Sequence, residues 1–203
     1  MNHCPLNGDE EKKLVEEVLT GNRYAFAKII KHTERLVTLI LFRMVANRAD
    51  HKDLVQDVYL RAYDKLSTFQ FRSRLSTWIG QITYHACLHY LEKKKLVLME
   101  AAFSDTEGAS SPLAQISDRT IDPFSKEGET LLVGKELKHI LQQAAEELPP
   151  VYRTLLSLHQ SGMSYEEMVQ ITGLPEGTVK SYLFRARKNL KEAILSKYRK
   201  EDL

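Results

Sequence analysis

The chain has 203 residues, with 29 Lys and Arg against 27 Asp and Glu, a formal net charge of +2 and two cysteines. That length suits one large or two small domains and a real core without disulfides, so a cysteine-stapled miniprotein is excluded. With 43% hydrophobic and 28% charged residues the composition is that of a soluble protein, and no run approaches the length of a membrane span.

The N-terminus, MNHCPLNGDEEKK, lacks the basic-then-apolar layout of a signal peptide. A cytoplasmic protein is expected, with Cys4 and Cys87 as free thiols in a reducing compartment. Charge is unevenly spread: Lys and Arg crowd residues 72–95 and 180–200, while acids crowd 9–17, 50–64 and 100–147.

Residues 9–20 carry Leu14, Val15, Val18 and Leu19 at helical spacing, closed by Gly21. Asn22 caps a next segment in which Ala25, Phe26, Ile29 and Ile30 repeat the stripe. Residues 34–46 are apolar nearly all round, through Leu36, Val37, Leu39, Ile40, Leu41, Phe42, Met44 and Val45. Such a helix belongs at the centre of a core. Residues 47–50 break it, and Asp50 is the expected N-cap of the following helix.

On a helical wheel at about 100° per residue, residues 51–66 place Leu54, Val55, Val58, Tyr59, Ala62 and Leu66 on one side. The other side holds Asp53, Gln56, Asp57 and Asp64 with Leu60 in their midst. Two readings stand at this point. One is a solvated face with a single tolerated leucine. The other is a docking face for a basic protein partner, an apolar anchor ringed by charge. Acids repel phosphate, so this face does not suit DNA.

Residues 67–77 (STFQFRSRLST) interleave Phe69 and Phe71 with Arg72 and Arg74. Taken alone, the stretch reads first as a polar connector whose phenylalanines point inward. Hydroxyls and arginines beside aromatics are also what holds phosphates and an unstacked base. The next helix is expected from Ser76, as N-cap, to Lys94. Ile79, Ile82, Ala86 and Tyr90 share its packing side. Gln81, His85, His89 and Glu92 line another, with Trp78 and Leu88 at its borders. His85 and His89 have a chelating spacing, but no third ligand stands near them, and no metal is assigned.

From residue 96 to 128 the pattern lapses into Ser, Asp, Gly and Pro, which reads as a flexible linker. Leu131, Leu132, Leu137, Ile140, Leu141 and Ala144 then form a helical stripe. Pro150 starts a helix with Val151, Leu155, Leu156 and Leu158. Ser164 with Glu167 makes a capping box, and residues 172–175 a tight break before a basic helix from Glu176. Short helix, glycine turn and longer basic helix are the helix-turn-helix layout. In the last helix Val179, Leu183, Ala186, Leu190 and Ile194 face inward. Gly177, Thr178, Ser181, Phe184, Arg185 and Lys188 face outward, as a major-groove reader requires. A basic C-terminal helix on an interaction bundle is the plainer alternative.

No phosphate loop, nucleophile elbow or acid/base pair emerges, so neither an enzyme nor a cofactor is expected. The fold expected is all-α, with two small helical domains at residues 1–95 and 129–203, joined by the linker at 96–128.

DLVQDVYLRAYDKLSTF with FRSRLSTWIGQITYHACLHYLEKKK resembles the second conserved domain of bacterial sigma factors of the extracytoplasmic-function group. LPPVYRTLLSLHQSGMSYEEMVQITGLPEGTVKSYLFRARKNL resembles their fourth domain. The two motifs come in the right order, which is more specific than a lone helix-turn-helix.

The resemblance implies a transcription initiation factor whose partners are core RNA polymerase, promoter DNA and an anti-sigma factor. Asp53, Gln56, Asp57 and Leu60 would dock on the clamp coiled coil of the largest polymerase subunit, with a further contact to the flap region. Arg72, Ser73, Arg74, Ser76, Trp78, Gln81, Tyr84, His85 and His89 would open the minus-ten element and hold the non-template strand. Gly177, Thr178, Lys180, Ser181, Phe184, Arg185 and Lys188 would read the minus-thirty-five element. The chain departs from the family's usual pattern at His85, His89, Glu92 and Tyr182, where Asn, Asp or Asn, a basic residue and Arg are common. The last two departures remove positive charge near DNA. The first two weaken any carry-over of the family's minus-ten base preference; the alternative is that the two histidines contact bases directly. The alternatives are a helix-turn-helix regulator with an N-terminal effector or dimerisation domain, and a helical anti-sigma or adaptor protein that binds no DNA.

Overall fold

The computed structural model describes residues 8–104 and 141–201. The expected stripe through Leu131, Leu132, Leu137 and Ile140, most of the expected linker, and Cys4 lie outside the described residues. All regular structure among the described residues is helical: α1 (Gly8–Leu19), α2 (Arg23–Met44), α3 (His51–Lys65), α4 (Leu75–Ser104), α5 (Pro150–Gln160), α6 (Tyr165–Thr172) and α7 (Glu176–Glu201). Residues 141–146 are helical as well.

Val15 and Val18 of α1 are buried, but Leu19, expected on the same stripe, is 55% exposed. It is the last residue of the helix, and the chain turns away at once through Gly21, whose φ of 97° favours glycine. Asn22 then caps α2, its side chain accepting from the Tyr24 N–H at 3.0 Å. The two stretches expected over residues 22–46 form one helix. Thr33 sits between them without breaking it, because its hydroxyl bonds back to the Ile29 carbonyl at 2.9 Å and meets the Tyr59 hydroxyl at 3.2 Å. Ala25, Ile29, Val37, Ile40, Leu41 and Met44 make α2 the central helix.

Asp50 precedes α3, but its side chain makes no capping bond. Its carboxylate instead accepts from the Tyr90 hydroxyl of α4 and from Asn47 Nδ2. The expected cap is thus a tertiary tie between α3 and α4. The Tyr90 hydrogen bond, aided by Asn47 and nearby positive charge, holds the Asp50 carboxyl below its usual range.

Helix α4 starts at Leu75, not at Ser76, and continues past Lys94 to Ser104. The run Leu96, Val97, Leu98 and Met99 contains no breaker and consists of residues a helix accepts, so the helix propagates into the stretch read as linker.

The C-terminal half follows its local signals closely. Pro150 occupies the first turn of α5. Both bonds of the Ser164–Glu167 capping box form, at 3.1 and 2.9 Å, and Gly173 ends α6 in the left-handed conformation with φ 70°. Val179, Leu183 and Ala186 of α7 are buried.

The two halves are packed together. Helix α2 lies against α5, and α4 against α6, within one continuous apolar core. Gly80 marks a close approach: a Cβ there would lie 3.2 Å from Ile171 Cδ1 and 3.2 Å from Leu36 Cδ2. No helix among the described residues is long and apolar enough to cross a membrane.

Candidate nucleic-acid interface

The face of α3 emerges as the wheel drew it. Leu54, Val58, Tyr59 and Ala62 are buried, while Asp53, Gln56, Asp57 and Asp64 are exposed. Leu60, in their midst, is 63% exposed. Fully burying a leucine is worth roughly 1.5–3 kcal/mol, so a leucine left in water beside three acids is an available anchor. Tyr63, 45% exposed, extends the apolar part of this face and stands edge-on to Phe26 at 5.0 Å.

Between α3 and α4 the chain passes through a short 3-10 turn (Leu66–Thr68) and the basic loop. The two phenylalanines of the loop behave differently. Phe69 is 7% exposed and stacks obliquely on Trp78 at 5.1 Å. Phe71 is 39% exposed, lies 4.7 Å from Phe69, and has a φ of 55°. A left-handed aromatic residue is strained, and such strain persists only where the surroundings impose it. Phe69, Phe71 and Trp78 thus form an aromatic ledge, half covered and half open. Arg72 and Arg74 project beside it into solvent, with Ser73 between them half-buried.

The first turn of α4 has no local side-chain cap. The Leu75 N–H, at a residue with no exposure, donates to Glu11 Oε2 of α1 at 3.1 Å, a bond spanning 64 residues. An unpaired buried donor costs roughly 1–3 kcal/mol, and a carboxylate at a helix N-terminus also meets the positive end of its dipole. Glu11 itself is 5% exposed. Burial raises its pKa from the ordinary value, with the Leu75 hydrogen bond and the Arg74 charge pulling the other way. Ser76, expected as the cap, is inside the first turn. Sequence reasoning missed Glu11, although an acid on the same stripe as Val15 and Val18 is itself a signal.

Further along α4, His85 and His89 are exposed, and Ser76, Trp78 and Gln81 are half-buried along the helix. Tyr84 is not exposed with them. It is 2% exposed, and burial, with Tyr182 and Cys87 nearby, pushes its phenol up to about 12. The expected minus-ten contact is therefore covered in this arrangement. The reason is the packing of the C-terminal half on α4, which no periodicity within α4 could announce. Cys87 is fully buried, with its thiol pushed up to about 12 by that burial.

On α7, Gly177, Lys180, Phe184, Arg185 and Lys188 are exposed, and Thr178 and Ser181 half-buried. Phe184 is 68% exposed. Two of the lysines are engaged within the helix: Lys180 with Glu176 at 2.6 Å and Lys188 with Glu192 at 3.7 Å. Such exposed pairs are worth at most about 1 kcal/mol and yield readily to phosphate. Tyr182, where positive charge is common in the resembling family, stacks on Tyr152 of α5 at 4.8 Å and neighbours Tyr84. Its ring serves packing rather than a phosphate.

The comparisons bear on both halves. The model of Sigma-70 region 2 matches residues 29–97, and that of Sigma-70, region 4 matches residues 138–190. Among curated proteins, the ECF RNA polymerase sigma factor SigW of Bacillus subtilis (strain 168) is 28% identical over 185 residues, covering 90% of this chain and 96% of its own. The ECF RNA polymerase sigma-E factor of Escherichia coli (strain K12) is 28% identical over 186 residues, covering 87% and 90%. The chain belongs to the sigma factors of the extracytoplasmic-function group.

As such it is an alternative sigma factor, a transcription initiation factor, and its fold has solved counterparts. The sigma factor RpoE in complex with the anti-sigma factor NepR from Bartonella quintana aligns with a TM-score of 0.63 at 23% identity, over 83% of this chain and 96% of that one. CnrH in complex with the cytosolic domain of CnrY aligns at 0.61 and 16% identity, over 94% and 99%. In this sigma factor the region 2 match begins within α2, so α1 and the carboxylate that caps α4 lie outside it.

Proposed function

We propose that this sigma factor divides initiation among separate surfaces carried by two units, the first ending with α4 and the second beginning before α5. The α3 face of Asp53, Gln56, Asp57 and Leu60 docks on the clamp coiled coil of the largest subunit of core RNA polymerase. The loop and α4, through Arg72, Ser73, Arg74, Ser76, Trp78, Gln81, His85 and His89, hold the non-template strand of the minus-ten element. The aromatic ledge takes an unstacked base, so strands are opened by binding energy and the protein needs no catalytic activity of its own. Helix α7 reads the minus-thirty-five element through Gly177, Thr178, Lys180, Ser181, Phe184, Arg185 and Lys188.

An apolar groove between α5 and α7, lined by Leu156, Leu190, Ile194 and Leu195 and rimmed by Arg187 and Lys191, suits the flap region of the polymerase. Tyr84 joins the minus-ten contacts only when the two units part. The closed packing hides it. The protein works in the cytoplasm. An anti-sigma factor, which the relatives RpoE and CnrH have in NepR and CnrY, would hold it inactive by covering the Leu60 face and α7 together.

The observation that carries this reading is Leu60, 63% exposed among acids. Run-off transcription from genomic fragments with purified core polymerase tests it. The factor should yield promoter-dependent transcripts, and Leu60→Glu or Asp57→Lys should abolish both those transcripts and capture of core enzyme. No transcript from any fragment, or unimpaired capture by both variants, removes the assignment.

A further inference from the structure

We propose that Glu11 is a positioning residue for promoter opening, holding the basic loop and the first turn of α4 in the geometry that receives the displaced strand. This rests on the reading of that loop as the minus-ten element. The loop is a short span between two fixed posts. At one end Phe69 is buried against Trp78. At the other the Leu75 N–H is held by Glu11 Oε2 at 3.1 Å. Between them stand the residues whose placement matters: Phe71 with its φ of 55°, the two exposed arginines, and Ser73, whose hydroxyl bonds to the Arg74 carbonyl at 3.3 Å.

Nothing local supplies the second post. Ser76 is one residue too late to cap, and α4 has no acidic residue in its first turn. The acceptor comes from α1, outside the segment that matches region 2, and it is aimed inward, since Glu11 is 5% exposed. The Arg74 charge also acts on Glu11, so the carboxylate that holds the Leu75 N–H lies within electrostatic reach of the guanidinium beside it. A helix outside the region 2 match thereby governs the shape of the loop.

Trp78, the single tryptophan of the chain, reports on this loop directly. The test uses the full-length factor with core polymerase and a promoter recovered by run-off transcription, as a duplex and as the same sequence with a mismatched bubble. Strand opening is read by permanganate reactivity of unpaired thymines. Glu11→Leu keeps the buried volume but removes the acceptor. It should lower duplex opening by about tenfold or more, the scale of one buried hydrogen bond. It should leave polymerase affinity and bubble transcription within about threefold, and shift Trp78 emission to the red at unchanged helix content. Glu11→Gln, which still accepts, should recover most of the opening.

Unchanged opening in Glu11→Leu overturns the proposal. So does a fall in opening, polymerase affinity and bubble transcription in step, which would mean a general structural role. If Glu11→Leu does not fold, Glu11→Asp, whose shorter side chain withdraws the acceptor from the Leu75 N–H, carries the test, and unaltered Trp78 emission and opening in Glu11→Asp is the overturning result. Arg72→Ala and Trp78→Ala are run in parallel. If they impair opening while Glu11→Leu does not, only the role of Glu11 is wrong. If neither impairs it, the assignment of the loop fails and the role of Glu11 with it.

Discussion

The two parts of this sigma factor proposed to contact DNA are built in opposite ways. The helix-turn-helix at the C-terminal end is assembled from neighbours. Pro150 opens α5, Ser164 and Glu167 close a capping box over three residues, and Gly173 ends α6. The loop and α4 are assembled from a distance. Glu11 reaches the Leu75 N–H across 64 residues, and Tyr90 holds Asp50 across 40. A reader made of local bonds can keep its shape while the unit moves as a body. A loop held by remote groups keeps its shape only while the whole first unit is intact. The difference fits the tasks proposed for them, since docking on duplex DNA needs a rigid helix, whereas opening a strand needs a shaped cavity.

The seam between the two parts should be the most sensitive place to disturb. In Gly80→Val even the Cβ would meet Ile171 and Leu36 at 3.2 Å, and the branching methyls add to it. Overpacking of this kind costs about 1–3 kcal/mol. Stability by chemical denaturation should fall by that amount, and Cys87, now fully buried, should alkylate faster when modification is located by mass spectrometry. If Cys87 stays inert and stability holds, the close packing of α4 on α6 is not what seals this face.

Breaking the local cap should cost less and stay local. Ser164→Ala removes the hydroxyl that accepts from the Glu167 N–H at 3.1 Å, a loss of about 1 kcal/mol. Denaturation should register that loss. Hydrogen exchange should quicken in the first turn of α6 and leave the first turn of α4 as it was. Spread of the effect to α4 would contradict the contrast between local and remote construction.

The smallest effect is expected at the Asp50–Tyr90 tie, and pH reveals it. The Tyr90 hydroxyl is the main cause of the lowered Asp50 pKa. A depressed carboxylate contributes stability above its unfolded pKa, and that contribution is lost as pH falls through the folded value. Tyr90→Phe should therefore melt somewhat below the wild type at neutral pH. The gap should close as the pH drops beneath the ordinary carboxylate range. A gap that persists unchanged in acid would assign the role of Tyr90 to packing alone.

What could be read in the chain follows the same division. The HTH helices, their cap, their turn and the inward set Val179, Leu183 and Ala186 were legible, because periodicity and capping are relations between residues a few positions apart. The α3 face was legible for the same reason, down to exposed Leu60. The ends of α4 were not: Ser76 looked like a cap and the residues after Lys94 like a linker. The true cap lies in another helix, and the helix carries on where nothing forbids it. Tyr84 was placed with the DNA contacts because its position on α4 is right, and its burial depends on a partner helix far along the chain.

By itself, then, the sequence determined most helices of each unit, the exposed Leu60 among acids on α3 and the outward basic face of α7. Each follows from spacing along one strand of backbone and the burial of apolar stripes. Only the tertiary structure decided that Glu11 caps α4, that Asp50 ties to Tyr90, that Gly80 admits Ile171, that Tyr84 is buried and that Tyr182 stacks on Tyr152. Those are contacts between residues remote in the chain, and the free energy that selects them exists only when the whole core has closed.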